Sequence, residues 1–519
     1  MLDLPTPKSL WHSDTETPDR HREVPVDSDV VVVGAGIAGL TTAHLLARSG
    51  HRVTVLESRQ VGAGVTGNTT AKISAQQGLV YDQLGEDRAR HYAAAQVRAL
   101  DWLSRQMASE AVDCGFERRD SYAYTTRPDR REDLSREVEA MQLAGLTEAE
   151  LLDDVDLPFD VAAAVRLPDQ AQFHPQRWLL HLAAQVEAAG GAVVEGQSVV
   201  DVQERDGVLE VEVTAASTDA SEVRTIRAGH VVVATHYPIL DRAAFFTRLG
   251  QTRDLVVSGP IAGTAPQGMF LDVDDGYSLR TPPGVHDALI VGGKQHAPGT
   301  RPDQNQLFQE LADWGETTVG LRGVTHRLAA HDLTTPDRVP YVGRYLPHST
   351  NLWVAAGFNL WGMTNGTAAG LLLHDLIRDE ADQEQVALMN PNRVSLDMVP
   401  GAVADIAAAG SHLVGGVSRA VTASRSAADL AQGEAKIWRS GARPVASYRD
   451  KDGLLHEVSA TCTHLGCVVQ FNDAELTWDC PCHGSRFSVN GTVLHGPATE
   501  PLAPFDGTPG GSASSGESR

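Results

Sequence analysis

Continuous apolar runs and helical spacing alternate in the first part of this chain. The run Val30–Val33 is wholly apolar, which is typical of a strand buried on both faces of a parallel sheet. A helical stretch, Leu40–Ser49, follows and ends at Gly50, and a second short strand, Arg52–Leu56, comes next. The order strand, helix, strand predicts an α/β fold.

Further elements are predicted downstream. Helical spacing indicates Tyr92–Glu110, Arg131–Gly145 and Trp178–Ala189. A strand meander is expected at Val199–Val202, Leu209–Val213 and Val223–Ile226, followed by another buried strand at Val231–His236. Residues 245–325 alternate in polarity, which predicts a separate antiparallel sheet with strands at Leu255–Val257, Met269–Leu271, Tyr277–Arg280 and Leu289–Val291. A strand, Leu352–Ala355, and a helix to about Ile377 come later.

Composition narrows the class of protein. The 519 residues suffice for about three domains. The net charge of −24 argues against nucleic acid or anionic membrane as partner, because it repels phosphate. The polar N-terminus lacks an apolar signal core, and no apolar run is long enough to span a membrane, so a cytoplasmic location is predicted.

A glycine turn follows the first strand. The candidate contacts are Gly34, Gly36, Ile37, Ala38 and Gly39, in the pattern G-x-G-x-x-G. Glycine permits the tight turn and a close backbone approach to a pyrophosphate, which the helix N-terminus then stabilises. Glu57, after the second strand, is suited to accept hydrogen bonds from a ribose. The arrangement predicts a dinucleotide-binding site.

A long glycine- and hydroxyl-rich loop, residues 62–72, favours FAD over NAD. It contains Thr66, Thr69, Thr70 and Ala71 and offers backbone donors where the ribityl chain and pyrophosphate of a flavin would lie. A domain that binds NAD would normally continue directly into a helix. A flexible surface loop is the alternative.

A second glycine-rich turn precedes the late helix. The sequence Gly357–Gly366 opens this helix and includes Gly362, Met363 and Thr364. A helix N-terminus after a glycine turn stabilises negative charge. Gly343, before the preceding strand, is a further candidate cofactor contact.

Two Cys–His pairs near the C-terminus carry the most specific signal. Cys462 and His464 form one pair, and Cys480 and His483 form the other. One pair of ligands on each iron of a [2Fe–2S] cluster, two Cys on one and two His on the other, is the ligation of a Rieske centre. Structural zinc is the alternative, although zinc sites usually pair Cys with Cys and His with His. Two further cysteines, Cys467 and Cys482, lie beside the ligand loops and are able to bridge them as a disulfide.

These motifs resemble two known families. C-T-H-L-G-C and C-P-C-H-G-S resemble the Rieske proteins of respiratory and photosynthetic chains. High-potential members are expected to place a tyrosine where this chain has Phe487, so a lower cluster potential is predicted. Residues 28–390, with T-G-N-T-T-A-K and G-F-N-L-W-G-M-T-N-G, resemble the D-amino-acid oxidase/glycine oxidase superfamily of FAD enzymes.

The resemblance implies a domain organisation. An N-terminal extension (1–27) precedes an FAD-dependent oxidoreductase (28–395), which combines an α/β Rossmann-like domain with an inserted antiparallel-sheet substrate domain. The nucleotide-binding parts are expected at about 28–90, 160–240 and 326–395, and the substrate domain at about 91–159 and 241–325. A helical connector (396–430), a small all-β Rieske domain (431–506) and a disordered tail (507–519) complete the chain. A flexible spacer is the alternative for the connector.

The resemblance also places residues around the flavin. The loop Thr66–Ala71 would lie along the FAD, Val200 would approach the adenine, and Gly362–Thr364 would face the flavin ring. On the substrate side, Arg280 is suited to bind a carboxylate, Lys294 to promote electron transfer to oxygen, and Trp361 to wall the pocket. The respective alternatives are a surface ion pair, a solvated turn and ordinary core packing.

Together the two halves predict an enzyme. Members of the superfamily oxidise C–N bonds, so an amine or amino acid is the expected substrate. Electrons would pass from reduced flavin, one at a time, through the cluster to an external one-electron carrier. Two alternatives stay open: an oxidase that forms hydrogen peroxide with a structural or regulatory Rieske domain, and an electron-transfer module without an organic substrate. The sequence leaves the oligomeric state open.

Overall fold

A computed structural model describes residues 2–110, 112–216, 222–240, 242–393 and 427–505. The chain divides into two compact units, one of Met1–His296 with Asn305–Val403 and one of Ala297–Gln304 with Ala404–Arg519. The predicted helical connector lies almost entirely outside the described residues, and so does the predicted disordered tail.

Among the described residues, the helices belong to the first unit, except that one of them begins with Gln304 of the second. In chain order they are α1 (Leu10–Ser13), α2 (Ile37–Arg48), α3 (Tyr81–Leu84), α4 (Glu86–Glu110), α5 (Arg131–Leu143), α6 (Pro175–Ala188), α7 (Gln304–Val319), α8 (Gly362–Ile377) and α9 (Gln383–Met389).

The strands of the first unit form two sheets. In chain order they are β1 (Asp27–Val33), β2 (Val53–Leu56), β3 (Lys72–Ile73), β4 (Glu117–Thr125), β5 (Glu150–Leu152), β6 (Ala163–Gln172), β7 (Ala192–Val194), β8 (Gln197–Arg205), β9 (Val208–Ala215), β10 (Arg224–Val233), β11 (Gly250–Pro260), β12 (Met269–Asp272), β13 (Ser278–Arg280), β14 (Ala288–His296), β15 (His326–Thr334), β16 (Tyr341–Arg344) and β17 (Leu352–Ala356).

The first sheet has the order β16-β17-β10-β1-β2-β7, and the hairpin β8–β9 joins it through β10. Strand β1 is central and parallel to both neighbours: Val31 pairs with Thr54 of β2 and with Val231 of β10. Both faces of β1 are therefore covered, which explains its wholly apolar run. The α/β Rossmann-like prediction is confirmed.

The prediction of two separate strands between 223 and 236 is wrong. Residues 224–233 form the single strand β10, whose first half pairs with β9 and whose second half pairs with β1 and β17. Burial alternates in the first half and is continuous in the second. Because the pattern of apolar residues changes midway along this strand, the sequence pattern predicts two strands instead of one.

Helices α2 and α8 pack closely on the first sheet. A Cβ at Gly366 would lie 2.6 Å from Ile37 Cγ2, and one at Gly370 would lie 2.6 Å from Thr41 Cγ2. Two glycines one turn apart thus bring the helices into contact. Helix α2 follows β1 and helix α8 follows β17, and both strands are parallel to β10. Both helices therefore begin at the same edge of the sheet as the glycine turn after β1.

The second sheet has the order β15-β11-β14-β13-β12-β4-β6-β3, with β5 against β6. All neighbours are antiparallel except β12 and β4, which are parallel. Helix α7 was not predicted, because residues 245–325 were read as strands alone. Its buried side chains, at helical spacing, are Leu307, Phe308, Leu311 and Ala312.

The second unit is built from short strands. They are β18 (Ala435–Ser440), β19 (Arg443–Arg449), β20 (Leu455–Ser459), β21 (Gln470–Asn472), β22 (Thr477–Asp479), β23 (Arg486–Ser488) and β24 (Val493–His495). The first three form one antiparallel sheet and the last four form another. Its core contains Trp478 and Phe487, both fully buried, together with Cys462 and Cys480, the two predicted cysteine ligands.

Candidate functional sites

The glycine turn after β1 has no room for side chains at two positions. A Cβ at Gly34 would lie 2.5 Å from the carbonyl oxygen of Ala234, and one at Gly39 would lie 2.0 Å from that of Gly34. Gly34 also has a φ of +105°, which other residues rarely adopt. The main chain at the start of α2 is therefore bare, which suits a phosphate group.

Glu57 lies beside this turn. Its Oε2 accepts the N–H of Ala35 at 2.9 Å, and its Oε1 accepts the N–H of Arg59 at 3.0 Å. The carboxylate is thus held at the carboxyl end of β2, where a ribose would lie in this fold. The N–H of Gln197, at the start of β8, donates to the carbonyl of Glu57 at 2.9 Å. Val200 is the unpaired residue of a bulge further along β8.

The loop of residues 62–72 folds over the start of α2. Thr66 Oγ1 accepts the N–H of Ile37 at 3.2 Å, and Thr69 Oγ1 accepts the N–H of Ala71 at 3.1 Å. A Cβ at Gly64 would meet nothing within 4 Å. The loop therefore closes one side of the turn and leaves open space beside Gly64, which fits an extended cofactor.

The N-terminal segment braces this loop, a feature that the sequence did not predict. Ser9 Oγ donates to the carbonyl of Gly67 at 2.6 Å, and Trp11 Nε1 donates to that of Thr69 at 2.7 Å. Trp11 is only 1% exposed. A tryptophan within an otherwise polar segment was the available signal.

The start of α8 forms the second predicted cofactor contact. Trp361 occupies the N-cap position, and its side chain makes no capping hydrogen bond. A Cβ at Gly362 would meet nothing within 4 Å, whereas Met363 and Thr364 are buried. Thr364 Oγ1 accepts the N–H of Ser74 at 2.9 Å, which joins the helix to the segment after residues 62–72, the FAD loop. The backbone N–H groups at the start of α8 lie beside the open space at Gly362, which suits hydrogen bonding to the electron-rich edge of a flavin ring.

Arg280 is completely buried on the second sheet. Its Nη1 donates to the carbonyl of Ala71 at 2.8 Å, and its guanidinium carbon lies 5.4 Å from the ring centre of Trp11. Its Nε and Nη2 have no hydrogen-bond partner among the described residues. Burial lowers the pKa of Arg280 to about 9. Its surroundings differ from the surface ion pair that was the alternative.

Lys72 is a buried lysine of this region. The sequence places it at the end of the loop and predicts no role for it. Its Nζ donates to Thr70 Oγ1 at 3.1 Å. Burial lowers the pKa of Lys72 to about 7, and the positive charge of Arg280 adds to the effect. A lysine in a T-T-A-K loop predicted to follow a cofactor was the signal that could have identified it.

The structure leaves the roles of the other predicted residues untested. Lys294 Nζ forms an ion pair with Glu310 at 3.0 Å and is about a quarter exposed, so its predicted role stays a prediction. A Cβ at Gly343 would lie 3.0 Å from Pro391 Cδ, which gives this glycine a packing reason. The roles of Val200 and Trp361 also stay predictions.

The second unit brings the four predicted cluster ligands together on two similar loops. In the first loop the N–H of Cys462 donates to the carbonyl of Cys467, and in the second the N–H of Cys480 donates to that of Ser485, both at 2.8 Å. The glycine at the fifth position of each loop, Gly466 or Gly484, has a positive φ. The rings of His464 and His483 lie 4.9 Å apart, and both ligand cysteines are buried.

Hydrogen bonds converge on the ligand sulfurs. The backbone N–H of His464 donates to the sulfur of Cys462, and those of Cys482 and His483 donate to the sulfur of Cys480. Contact with Cys480, and hydrogen bonds from His464 and Ser485, lower the pKa of the Cys462 thiol below its usual range. Such donors stabilise thiolate ligands and a reduced cluster.

The disulfide between Cys467 and Cys482 is present, with Cα atoms 6.4 Å apart. The sulfurs of Cys467, Cys480 and Cys482 all lie within 4.8 Å of one another. Sulfurs in a disulfide are not thiolate ligands. The three sulfurs are close because the Cys467–Cys482 disulfide lies next to Cys480. Phe487 is fully buried in the same core and has no hydroxyl to donate.

Comparison with known proteins identifies both units. Residues 29–376 match the family model FAD dependent oxidoreductase, and residues 421–506 match the Rieske [2Fe-2S] domain. The chain belongs to the FAD dependent oxidoreductase family and carries a C-terminal Rieske domain. It binds FAD and a [2Fe–2S] cluster, as predicted, and the zinc alternative is set aside.

The architecture as a whole has a relative in Bacillus subtilis (strain 168). YhfW, whose name describes a Rieske 2Fe-2S iron-sulfur protein, is 32% identical over 514 residues, covering 96% of this chain and 98% of YhfW. Among solved structures, glycine oxidase from Geobacillus kaustophilus has a TM-score of 0.58 at 18% identity, covering 72% of this chain and all of that one. L-proline dehydrogenase from P. horikoshii has a TM-score of 0.59 at 20% identity, covering 71% and 98%.

No helix in the described part of the chain is both long and apolar enough to cross a membrane. The predicted cytoplasmic location stays a prediction.

Proposed function

We propose that this protein oxidises a C–N bond of an amine or amino acid and passes the electrons through its Rieske cluster to an external one-electron acceptor. The observation that supports this most directly is the occurrence, in one chain, of an FAD fold with a buried Arg280 and a complete set of cluster ligands. When bound, FAD supplies hydride acceptance, a two-electron step, and the cluster transfers single electrons.

Arg280 supports a carboxylate on the substrate. A buried guanidinium with two nitrogen atoms, Nε and Nη2, that have no acceptor among the described residues costs free energy that a bidentate anion would offset. The loop carbonyl of Ala71 and the ring of Trp11 fix its orientation, so the free donors project in one direction. We propose that Arg280 holds the carboxylate of an amino acid.

The names of solved relatives agree with this class of reaction. They describe a glycine oxidase, an L-proline dehydrogenase and an L-amino acid deaminase, all of which share the fold at low identity. We propose the same class of substrate for this chain, without a choice among particular amino acids.

The ligand sulfurs support the cluster as the electron exit. Backbone and side-chain donors surround Cys462 and Cys480, as expected for a centre that cycles between charge states. We propose that the acceptor is an external redox protein or small carrier. In the overall reaction the substrate ammonium loses two electrons and two protons and becomes an iminium with a C=N bond. The electrons go to the external acceptor and the protons to water, and water then hydrolyses the iminium to a carbonyl compound and ammonium.

An anaerobic titration tests the proposal. The holoprotein is mixed with a panel of amines and amino acids, and flavin bleaching is followed by the appearance of the reduced cluster signal. We expect bleaching by a carboxylate-bearing amine and, after it, cluster reduction. Bleaching without cluster reduction would favour the peroxide-forming oxidase, and no bleaching by any compound would favour a module without an organic substrate.

A matched variant separates the first two outcomes. Cys462→Ser removes one ligand and is expected to abolish turnover with a one-electron acceptor while leaving flavin bleaching in place. Cys114→Ser is the control, since Cys114 is buried in the other unit. Full oxygen-dependent turnover in Cys462→Ser would contradict the proposed route.

A further inference from the structure

Asp254 and Asp332 lie on neighbouring strands of the second sheet, and their carboxylates differ in how many hydrogen bonds they accept. Asp332 of β15 accepts the N–H of Leu333 at 2.7 Å and also that of Leu360. Asp254 of β11 has the backbone N–H of Gly293 as a donor, but its Oδ1 is buried and has no hydrogen-bond partner among the described residues. A buried carboxylate oxygen without a donor is costly in a folded protein.

A β-bulge presents Asp254. The register between β11 and β14 shifts at this point, so two residues of β14, Lys294 and Gln295, stand opposite the single Asp254. Lys294 takes a positive φ of 59°, which accommodates the extra residue. Bulges re-aim side chains and are frequent beside active sites.

Asp254 and Thr70 of the FAD loop both lie close to Gly292. A Cβ at Gly292 would lie 2.6 Å from Ser278 Oγ, 3.4 Å from Asp254 Oδ2 and 3.6 Å from Thr70 Cγ2. Glycine at this position lets the three side chains approach one another. Because Thr70 belongs to the loop expected to follow the cofactor, Asp254 lies on the face of the sheet that this loop covers.

The charges around Asp254 oppose each other. Burial raises the pKa of Asp254 to about 7, Lys72 works against this rise, and the negative charge of Asp332 adds to it. Lys72 itself responds to Arg280 and to Asp254. Lys72 on β3 and Asp332 on β15 therefore act directly on the pKa of Asp254. Arg280 on β13 acts on it indirectly, because it lowers the pKa of Lys72.

We propose that Asp254 is the proton acceptor of the oxidation site, with Lys72 as its positioning and charge-balancing partner. This inference rests on the proposed function. The substrate ammonium gives one proton to the Asp254 carboxylate, and the neutral amine then loses its α-hydrogen as hydride to FAD, so that two electrons leave and the C=N bond forms. The Asp254 proton is released to water before the next turnover.

Spectral titration of the oxidised holoprotein tests the acceptor without any substrate. Protonation of a carboxylate beside the cofactor shifts the visible flavin absorption, so we expect the flavin spectrum to change with pH in a transition that requires Asp254. Asp254→Asn should abolish it. Lys72→Met should move it to higher pH, because losing a positive charge favours the protonated acid, and Asp332→Asn should move it to lower pH.

The control variant makes the comparison sharp. Asp332 is buried, and burial raises its pKa to about 7 as it does that of Asp254, yet its carboxylate already accepts backbone N–H groups. Asp332→Asn keeps an oxygen for those donors. It should therefore keep the transition, displaced to lower pH, and keep the maximal bleaching rate above that transition. Asp254→Asn should instead slow bleaching by about 10²–10⁴-fold and remove its dependence on pH.

The outcomes are distinguishable. A transition that persists in Asp254→Asn, or that moves to lower pH in Lys72→Met, would overturn the acceptor role and leave the proposed function standing. The expected transitions without bleaching by any amine would overturn the proposed function, and the acceptor role with it. Should Asp254→Asn fail to bind FAD, the opposite shifts in Lys72→Met and Asp332→Asn decide the matter.

Discussion

Trp11 is expected to hold the FAD loop in place, although it lies outside the predicted FAD domain. Its indole N–H donates to the carbonyl of Thr69, and its ring packs against Arg280. Trp11→Phe keeps most of the ring but leaves the Thr69 carbonyl without this donor, which costs about 1–3 kcal/mol for a buried group. Trp11→Ala also leaves a cavity, and aromatic-to-alanine changes in cores cost about 3–5 kcal/mol.

The assay follows FAD release on heating, through the rise in free-flavin fluorescence. We expect the midpoint to fall in the order wild type, Trp11→Phe, Trp11→Ala. Glu16→Ala is the control, because Glu16 is exposed in the same segment. In anaerobic bleaching, Trp11→Ala should raise the concentration of carboxylate-bearing substrate needed for half the maximal rate, since Arg280 loses its packing surface.

A particular result would refute this reasoning. If Trp11→Ala released FAD at the same temperature as Glu16→Ala, the N-terminal segment would have no role in holding the loop. If Trp11→Phe were as damaging as Trp11→Ala, the hydrogen bond rather than the ring would account for the effect.

Three further predictions follow from single contacts. Ser485→Ala removes a donor to the Cys462 sulfur and should lower the cluster potential in a redox titration, whereas Ser488→Ala, whose Oγ accepts the N–H of Thr492, should not. Glu137→Ala leaves the N–H groups of residues 80–82 without their acceptor, at about 1–3 kcal/mol each, and should lower the denaturant midpoint far more than exposed Glu139→Ala. Burial raises the pKa of Cys114 to about 12, so this thiol should resist alkylation until the protein unfolds; labelling of the native protein would contradict the assignment.

The chemistry that depends on short spacings was predictable from the sequence. The glycine turn with Glu57, the four cluster ligands and the start of α8 each depend on residues within one turn or across one strand pair. In such segments the backbone conformation follows from the local residues, because glycine alone fits the turn and the Cys–His pairs lie within two or three residues of each other.

Longer elements were less predictable where burial changes along them. Strand β10 was read as two strands because its exposure changes midway, and helix α7 was missed among strands with short apolar runs. Both errors arise because apolar spacing reports which face is buried, and that depends on the neighbouring elements.

By itself, the sequence determined the two cofactor sites and the class of chemistry they support. Only the tertiary structure decided which side chains lie around the proposed substrate site: Lys72, Asp254 and Arg280 come from different strands, and Trp11 comes from the N-terminal segment. The register of the second sheet and its bulge at Asp254 bring these groups together. No local spacing encodes such a register, because it results from packing many strands at once.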